Sequence, residues 1–335
     1  MRTRVFTVTP ETWEEHRSAG IAGINDPYHS SPSVYTFAIR QKVMTEVAGI
    51  RPGDRLFFYI QGPKQIFGGY EATTGPFFDP SPVFPGASHV NARFPFRVGF
   101  RQVARYERPI HVNEVWAGRD AGLIWTMQQA RGDVVGRHAC WPLSKQEGDL
   151  FQRMLNELNV IVGPPDPLSP LPQSVSPLPI DTRIEGVRYP HLNYEATLQS
   201  MILEGLADGL WRETLGGYDD FLPYVPTSEG SEIDVVLLRH NDQSEILWYQ
   251  ILELKSDRYK EEHLIQILSY ETWLTSNQAE GNPRSVHMLA IANRFDDVVL
   301  EQVRARQNLK QKPVRLISYS FDENTSQLTL DEVVI

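Results

Sequence analysis

Hydrophobic and polar positions alternate in short runs through the first 160 residues. A period of two marks half-buried strands. It predicts them at Arg4–Val8, Ser33–Arg40, Arg55–Ile60, Gln65–Glu71 and Phe96–Val103. Turn signals such as Arg51-Pro52-Gly53-Asp54 and Gln61-Gly62-Pro63-Lys64 separate these runs. Helices are predicted near Gln41–Ala48 and at Lys145–Leu158, the second preceded by the capping-box pattern Ser144-Lys145-Gln146-Glu147. The expected product is a small twisted barrel with peripheral helices.

Beyond residue 190 the period lengthens. Leu198, Met201, Ile202 and Leu206 form one stripe of a helix over Asn193–Leu206, with Asn193 as its N-cap. Ser231–Arg239 and Glu245–Lys255 read as two strands of a hairpin joined by His240-Asn241-Asp242-Gln243. A helix over Tyr259–Leu274, a strand over Val286–Ala292, a helix over Asp296–Asn308 and a strand over Val314–Tyr319 follow. Asn282-Pro283-Arg284 reads as a turn and Asn293-Arg294 as polar loop, with a substrate-facing position the alternative for Asn293 and Arg294. This part is expected to be a central mixed sheet flanked by helices, and the whole chain a two-domain α+β or α/β protein.

Residues 163–180 place seven of the 24 prolines in 18 positions. Such a stretch has few backbone donors and reads as a semi-extended linker. The predicted division is a domain over 1–162, a linker over 163–183 and a domain over 184–335. The net charge of -10 argues at first against a nucleic-acid partner. It is unevenly spread: 18 Lys and Arg stand against 15 Asp and Glu before Gly163, and 14 against 27 from there on. Arg93, Arg97, Arg101 and Arg105 share one strand face by the period of two and, with Arg51, Arg55, Lys64, Arg108, Arg119, Arg131 and Arg137, give the first domain a positive surface. The single Cys140 excludes an internal disulfide framework and a cysteine-rich zinc site. With no apolar N-terminal segment and no membrane-spanning run, the expected location is the cytoplasm, away from membranes.

In the strand ending WYQILELK, the period of two puts Tyr249, Ile251, Glu253 and Lys255 on one face. The hairpin brings Asp234 beside Glu253, so two acids and a lysine converge. Hard divalent cations take carboxylate oxygens together with water and substrate phosphate, a role open to Asp234 and Glu253. Lys255 is placed to orient a water or to stabilise charge on a phosphate. On the following helix, His263, Gln266, Tyr270 and Trp273 recur at three- and four-residue spacing on one face.

Taken together, IDVVLL, ILELK and QILSY resemble the PD-(D/E)XK nuclease superfamily, in particular its RecB-like branch with a Gln-x-x-x-Tyr motif, and QILSYETWL is similar to the C-terminal domain of NucS-type endonucleases. The resemblance covers about residues 190–295. It implies a restriction-endonuclease-like fold, Mg²⁺ (or Mn²⁺) as cofactor, Asp234 and Glu253 as metal-binding acids, Lys255 as the catalytic lysine, and Gln266 and Tyr270 as the helix motif. Glu195 matches the acid that completes the metal shell through water. The usual proline before the first acid is replaced by Ile233.

Most of residues 1–160, through IRPGDRLFFYIQGPKQIFGGYEATTGPFFD, RFPFRVGFR and HACWPLSKQEGDLFQRML, resembles the PUA-like superfamily, nearest its EVE and YTH members. That resemblance implies a PUA-like barrel that binds a modified base, flipped from a nucleic-acid strand, in an aromatic pocket. The aromatics available include Tyr28 and Trp141, with Trp116, Trp125, Tyr35 and Tyr59 as candidates; burial in the core is the competing use for each.

Three functions follow as expectations. The first is a modification-dependent DNA endonuclease that reads a modified base, most simply modified cytosine, and cuts nearby, as a homodimer if both strands are cut. The second is a NucS-like repair nuclease for mismatched, branched or single-stranded DNA. The third is a nucleic-acid (RNA or DNA) binding protein on a nuclease-like scaffold, against which the joint presence of Asp234, Glu253 and Lys255 speaks.

Overall fold

The computed structural model describes residues 1–26, 33–81, 94–127, 138–165, 176–178, 194–227, 230–322 and 324–335, with the side chains of 34–36 outside the description. The chain divides into two compact units, Met1–Ile180 and Asp181–Ile335, each combining helices with a mixed sheet.

The sheet of the first unit contains β1 (Thr3–Val8), β2 (Ile21–Ile24), β3 (Arg55–Ile60), β4 (Gln65–Phe78), β5 (Phe96–Gln102), β6 (Ile110–His111), β7 (Cys140–Leu143) and β8 (Ser176–Pro177). Its main path runs β2-β5-β4-β3-β1-β7, with β6 and β8 against β4. β1 and β3 are parallel, Thr3 opposite Arg55 through Val8 opposite Ile60, and β1 pairs antiparallel with β7. Among the described residues no pairing joins β2 to β7, so the described strands form an open path. The helices are α1 (Pro10–Ala19), α2 (Val34–Ala48), α3 (Val112–Asp120) and α4 (Lys145–Leu158).

Local chemistry sets several of these boundaries. Thr9 and Thr12 form a capping box at the start of α1, Pro10 presets its first turn, and Gly20 ends it at φ 63°. The strand expected at Ser33–Arg40 is instead the first half of α2. Its alternation fits both periods over eight residues, but no Gly or Pro interrupts the run before Gly49, and a continuous helix carries Met44, Val47 and Ala48 into the core.

Val5, Phe57, Ile110, Trp141, Phe151 and Leu155 centre that core. Full burial of such side chains contributes roughly 1.5–3 kcal/mol each. Two buried carboxylates tie loops to it. Glu147, the acid of the expected capping box, accepts from Ser144 N at 2.7 Å and also from Trp125 N at 2.6 Å, Thr126 N at 2.8 Å and Thr126 Oγ1 at 2.7 Å. Glu46 accepts from the amides of Ala139 at 2.8 Å and Cys140 at 3.0 Å and lies 3.0 Å from His138 Nδ1. Burial pushes the Cys140 thiol far up, with Glu46 adding to the effect and Arg4 opposing it.

His16 is buried, with Nδ1 donating to the Ile21 carbonyl at 2.8 Å. Burial pushes its imidazole down from 6.5 to about 4. The unfolded chain therefore binds the proton first as pH falls. Stability from the neutral ring is complete above pH 6.5 and is lost as pH drops toward 4, by roughly 3 kcal/mol in total. Denaturant unfolding of wild type and His16→Gln at pH 7.5 and pH 4.5 checks this: the acid loss should be smaller in the variant, and equal losses would exclude His16 as the cause.

The described parts of the proline run belong to the first unit. Gly163 bridges to Arg105, and Ser176–Pro177 adds to β4 opposite Phe78 and Phe77. The rest of the predicted linker, 166–175 and 179–183, lies outside the described residues.

The second unit contains β9 (Asp220–Pro226), β10 (Glu232–His240), β11 (Ile246–Tyr259), β12 (Val286–Phe295), β13 (Val314–Asp322) and β14 (Gln327–Glu332), in the order β14-β13-β12-β11-β10-β9. β11, β12 and β13 are parallel; the outer pairs are antiparallel. The helices are α5 (Glu195–Ala207), α6 (Arg212–Leu215), α7 (Glu261–Asn277) and α8 (Asp297–Asn308). α7 and α8 are the crossovers that parallel strands require. Leu264, Ile267, Tyr270 and Leu274 form the buried stripe of α7. β11 runs four residues past its expected end at Lys255, and Asn293 and Arg294 lie within β12, not in a loop. α5 starts after Tyr194, which makes no side-chain cap; Asn193, the expected N-cap, lies outside the described residues. Among the described residues no helix is long and apolar enough to cross a membrane.

Candidate functional site

Strand register assembles the site. Val235 pairs with Leu252 in the antiparallel ladder of β10 and β11, which puts Asp234 opposite Glu253 on one face with Lys255. Asp234 is partly buried; its Oδ2 accepts from Leu254 N at 2.7 Å, and its carbonyl accepts from Gln199 Nε2 at 2.7 Å. Gln199 stands one turn after Glu195 on α5, so one helix face both braces β10 and presents an acid. That four-residue spacing was readable from the sequence, and Gln199 is the residue it left out.

Glu253 is 1% exposed and neither oxygen has a hydrogen-bond donor in good alignment. Lys255 Nζ comes to 2.9 Å from Oε1 as an ion pair. Nζ also lies 3.0 Å from Glu195 Oε2 and donates to the Leu254 carbonyl at 2.7 Å. Burial pushes the Glu253 carboxyl up to about 7, against the pull of Lys255. Burial, then the Glu253 carboxylate, push Asp234 well above the usual carboxylate range. Burial works against the Lys255 ammonium, but Asp234, Glu253 and Glu195 outweigh it and hold its pKa above the ordinary lysine value.

Three acids thus surround one cation. Among the described residues no three His, Cys, Asp or Glu side chains form a ready-made metal cage. Asp234 and Glu253, with Glu195 at the half-exposed rim, nevertheless supply hard oxygen donors whose charge Lys255 only partly offsets, and the two undonated Glu253 oxygens suit a divalent cation.

Gln266 and Tyr270 form an adjacent relay. Gln266 Nε2 donates to Tyr270 Oη at 2.6 Å, and the buried Tyr270 hydroxyl donates to the Glu232 carbonyl at 2.9 Å, two residues before Asp234. The relay ties α7 to the start of β10. Tyr259, also left out by sequence reasoning, is buried with its hydroxyl donating to the His263 carbonyl at 2.9 Å.

Three of the aromatic candidates of the first unit, Tyr59, Trp116 and Trp125, have described side chains. Tyr59 is 1% exposed inside the core beside Trp141, so it is a packing residue. Trp116 packs against the same core and under the Arg119 guanidinium. Trp125 is partly buried, its backbone held by Glu147. The side chain of Tyr35, together with Tyr28, lies outside the described residues. The expected basic face is also changed: Arg97 is buried, donating to the Phe94 carbonyl at 2.8 Å and paired with Asp79, while Arg101 pairs with Glu71, Arg105 with Glu107 and Arg55 with Asp149. Arg93, Arg131 and Arg137 lie outside the described residues.

No family model and no curated protein matches the chain. Solved structures that match include a hypothetical protein from Leishmania major, 15% identical over 47% of this chain and 96% of that one, with a TM-score of 0.32. A protein from Pseudomonas putida is 14% identical over 45% and 98%, TM-score 0.29, and one from Rhodopseudomonas palustris 15% over 48% and 96%, TM-score 0.28. Similarity at this level fixes neither fold family nor function.

Proposed function

We propose that the chain is a metal-dependent endodeoxyribonuclease: a PD-(D/E)XK-like C-terminal unit hydrolyses phosphodiester bonds, and a PUA-like N-terminal unit reads a modified base, with modified cytosine the first candidate. The observation that supports this reading is the cross-strand pair of Asp234 and Glu253 with the Lys255 ammonium 2.9 Å from Glu253. Two carboxylates pushed up by burial, one with undonated oxygens, cost the fold stability in the absence of a counter-charge and suit a site that gains a cation. Bound Mg²⁺ or Mn²⁺ would supply a Lewis acid that acidifies water and offsets phosphate charge. Asp234 and Glu253 would hold it, with Glu195 at the rim. Lys255 keeps its proton at neutral pH, so it acts as a fixed cation that orients water and phosphate, not as the base. Gln266 and Tyr270 hold β10, and with it Asp234, in register.

The test is Mg²⁺-dependent cleavage of otherwise identical duplexes carrying cytosine, methylcytosine, hydroxymethylcytosine or glucosylated cytosine, beside mismatched and flapped duplexes. At least about tenfold faster cutting of one modified duplex is expected, a difference of about 1.4 kcal/mol. Equal rates on every duplex would remove the reading role, preference for mismatches or flaps would favour a repair nuclease, and no cutting with Mg²⁺ or Mn²⁺ would sink the proposal.

A further inference from the structure

Beyond Lys255 strand β11 slips by one residue against β12, so that Lys255 stands opposite Ala292 but Arg258 opposite Arg294. Tyr259 follows and is buried. Its hydroxyl donates to the His263 carbonyl in the first turn of α7 at 2.9 Å, and its ring meets the His263 imidazole edge to face, with centroids 5.3 Å apart. Burial pushes that hydroxyl up, and the nearby Glu253 and Asp234 carboxylates add to the effect. His263 shares a helix face with Gln266 and Tyr270, and Tyr270 is tied to the Glu232 carbonyl two residues before Asp234. Helix α7 thus carries three side chains along the flank between Tyr259 and the start of β10, and His263 is the first of them.

His263 is the third residue of α7, where a capping box ordinarily uses Glu or Gln to accept from the N-cap amide. Here Nδ1 takes that role, accepting from Lys260 N at 3.0 Å. The bond fixes the neutral tautomer: Nδ1 keeps its lone pair, so Nε2 carries the proton. A carboxylate or an amide would cap as well, so the far nitrogen of the ring serves no purpose in the cap. The structure does not use it elsewhere either. Glu262 Oε1 lies 3.9 Å from Nε2, beyond hydrogen-bond reach, and among the described residues Nε2 meets no acceptor. The side chain is 17% exposed, so the N–H is a fixed donor open at one edge. Burial and then Lys255 hold the imidazole below its ordinary pKa with help from Lys260, against Glu262 and Asp296. Protonating Nδ1 would also set it against the Lys260 N–H. The ring therefore stays neutral at neutral pH.

We infer, on the premise that Asp234, Glu253 and Lys255 act on a phosphodiester, that His263 is a further residue of that site and donates its Nε2–H to a phosphate oxygen of the bound strand. A second cation beside Lys255 would compete with a divalent ion for the same carboxylates. A neutral N–H binds an anionic oxygen without that competition. No proton leaves the ring and no bond to it is made or broken; the contact holds the phosphate in place for attack. Tyr259 grips the ring and the carbonyl of the same residue, which keeps the donor pointed.

The test uses the full chain and a short duplex, with cleavage followed in Mg²⁺ and binding followed by fluorescence anisotropy in Ca²⁺ across a salt series. His263→Asn keeps an acceptor in the place of Nδ1 and removes the far donor; His263→Gln keeps an acceptor and an NH₂ group. The Asn variant should lose at least about tenfold in kcat/KM, about 1.4 kcal/mol, as one hydrogen bond to a charged group is worth. Its Kd should rise, while the slope of log K against log salt stays at the wild-type value, because no charge is lost. The loss should be the same at pH 7 and pH 8.5, because the neutral ring exchanges no proton there. The Gln variant should recover most of the activity. Should the Asn variant melt below wild type, His263→Glu, which caps but cannot donate, takes its place. The contact is overturned if removing the donor leaves kcat/KM and Kd unchanged, if the Gln variant loses as much as the Asn variant, or if the loss varies with pH, which would mark proton transfer. Wild type that binds the duplex without cutting it, with the effect on Kd present, would reject hydrolysis and retain the contact; wild type that binds no duplex would reject both.

Discussion

Glu253→Gln is expected to abolish the proposed Mg²⁺-dependent cleavage, lowering kcat by at least about 10³-fold, and at the same time to make the metal-free protein more stable. The two effects have one origin. Glu253 is buried with two undonated oxygens opposite a second carboxylate, and its carboxyl is raised from 4.5 to about 7. The folded state therefore holds a proton that the unfolded chain has released between those pH values. The stability from that protonated carboxyl is present below pH 4.5 and declines as pH rises through 7, so the fold carries a penalty on the order of 3 kcal/mol in alkaline solution. Glutamine removes the charge and with it the penalty. Thermal unfolding at pH 8 should show the variant melting above wild type without metal, with Mg²⁺ raising only the wild type. A variant that still cuts, or that gains the same shift from Mg²⁺, would show that Glu253 does not hold the metal.

The largest stability loss is expected in the other unit. Glu147→Ala should destabilise the N-terminal unit by about 3–5 kcal/mol, because the Trp125, Thr126 and Ser144 amides and the Thr126 hydroxyl all lose their acceptor in a dry setting. For a unit of this size that lowers Tm by roughly 10 °C. Glu147→Gln keeps the volume and one acceptor oxygen but turns an amide NH₂ toward a donor, so its cost should be about half. Burial pushes the Glu147 carboxyl up, against these four donors. Denaturant titration of the full chain measures both variants; an Ala variant within about 1 kcal/mol of wild type would mean that the segment 124–127 is held by other contacts.

Glu147 also marks the limit of reading from sequence. The pattern Ser144-Lys145-Gln146-Glu147 announces a helix start, and the helix starts there. Nothing local announces that the same carboxylate reaches back 21 and 22 residues. The convergence of Asp234, Glu253 and Lys255 was legible because a hairpin and a period of two are short-range rules, and they fix who stands opposite whom. The register slip after Lys255 was not legible, since a bulge depends on what the neighbouring strand offers. Ser33–Arg40 alternates like a strand yet is helical, because eight residues satisfy either period and the longer Gly-free run decides. Arginines at regular spacing suggested a positive face, but spacing does not reveal partners, and Arg97 spends its charge inside the unit. Tyr59 reads more readily as core than as cage, and only its neighbours decide between them.

Cys140 has a practical consequence of a different kind. The chain's single thiol is 1% exposed on β7, its backbone amide held by Glu46 and its sulfur far from ionising at neutral pH. Thiol-directed reagents need an accessible thiolate. The natural sequence is therefore already a silent background for site-specific labelling: one cysteine introduced on an exposed position of either unit becomes the sole reactive handle, and one introduced in each unit can carry paired dyes that follow the two units in solution without removal of Cys140.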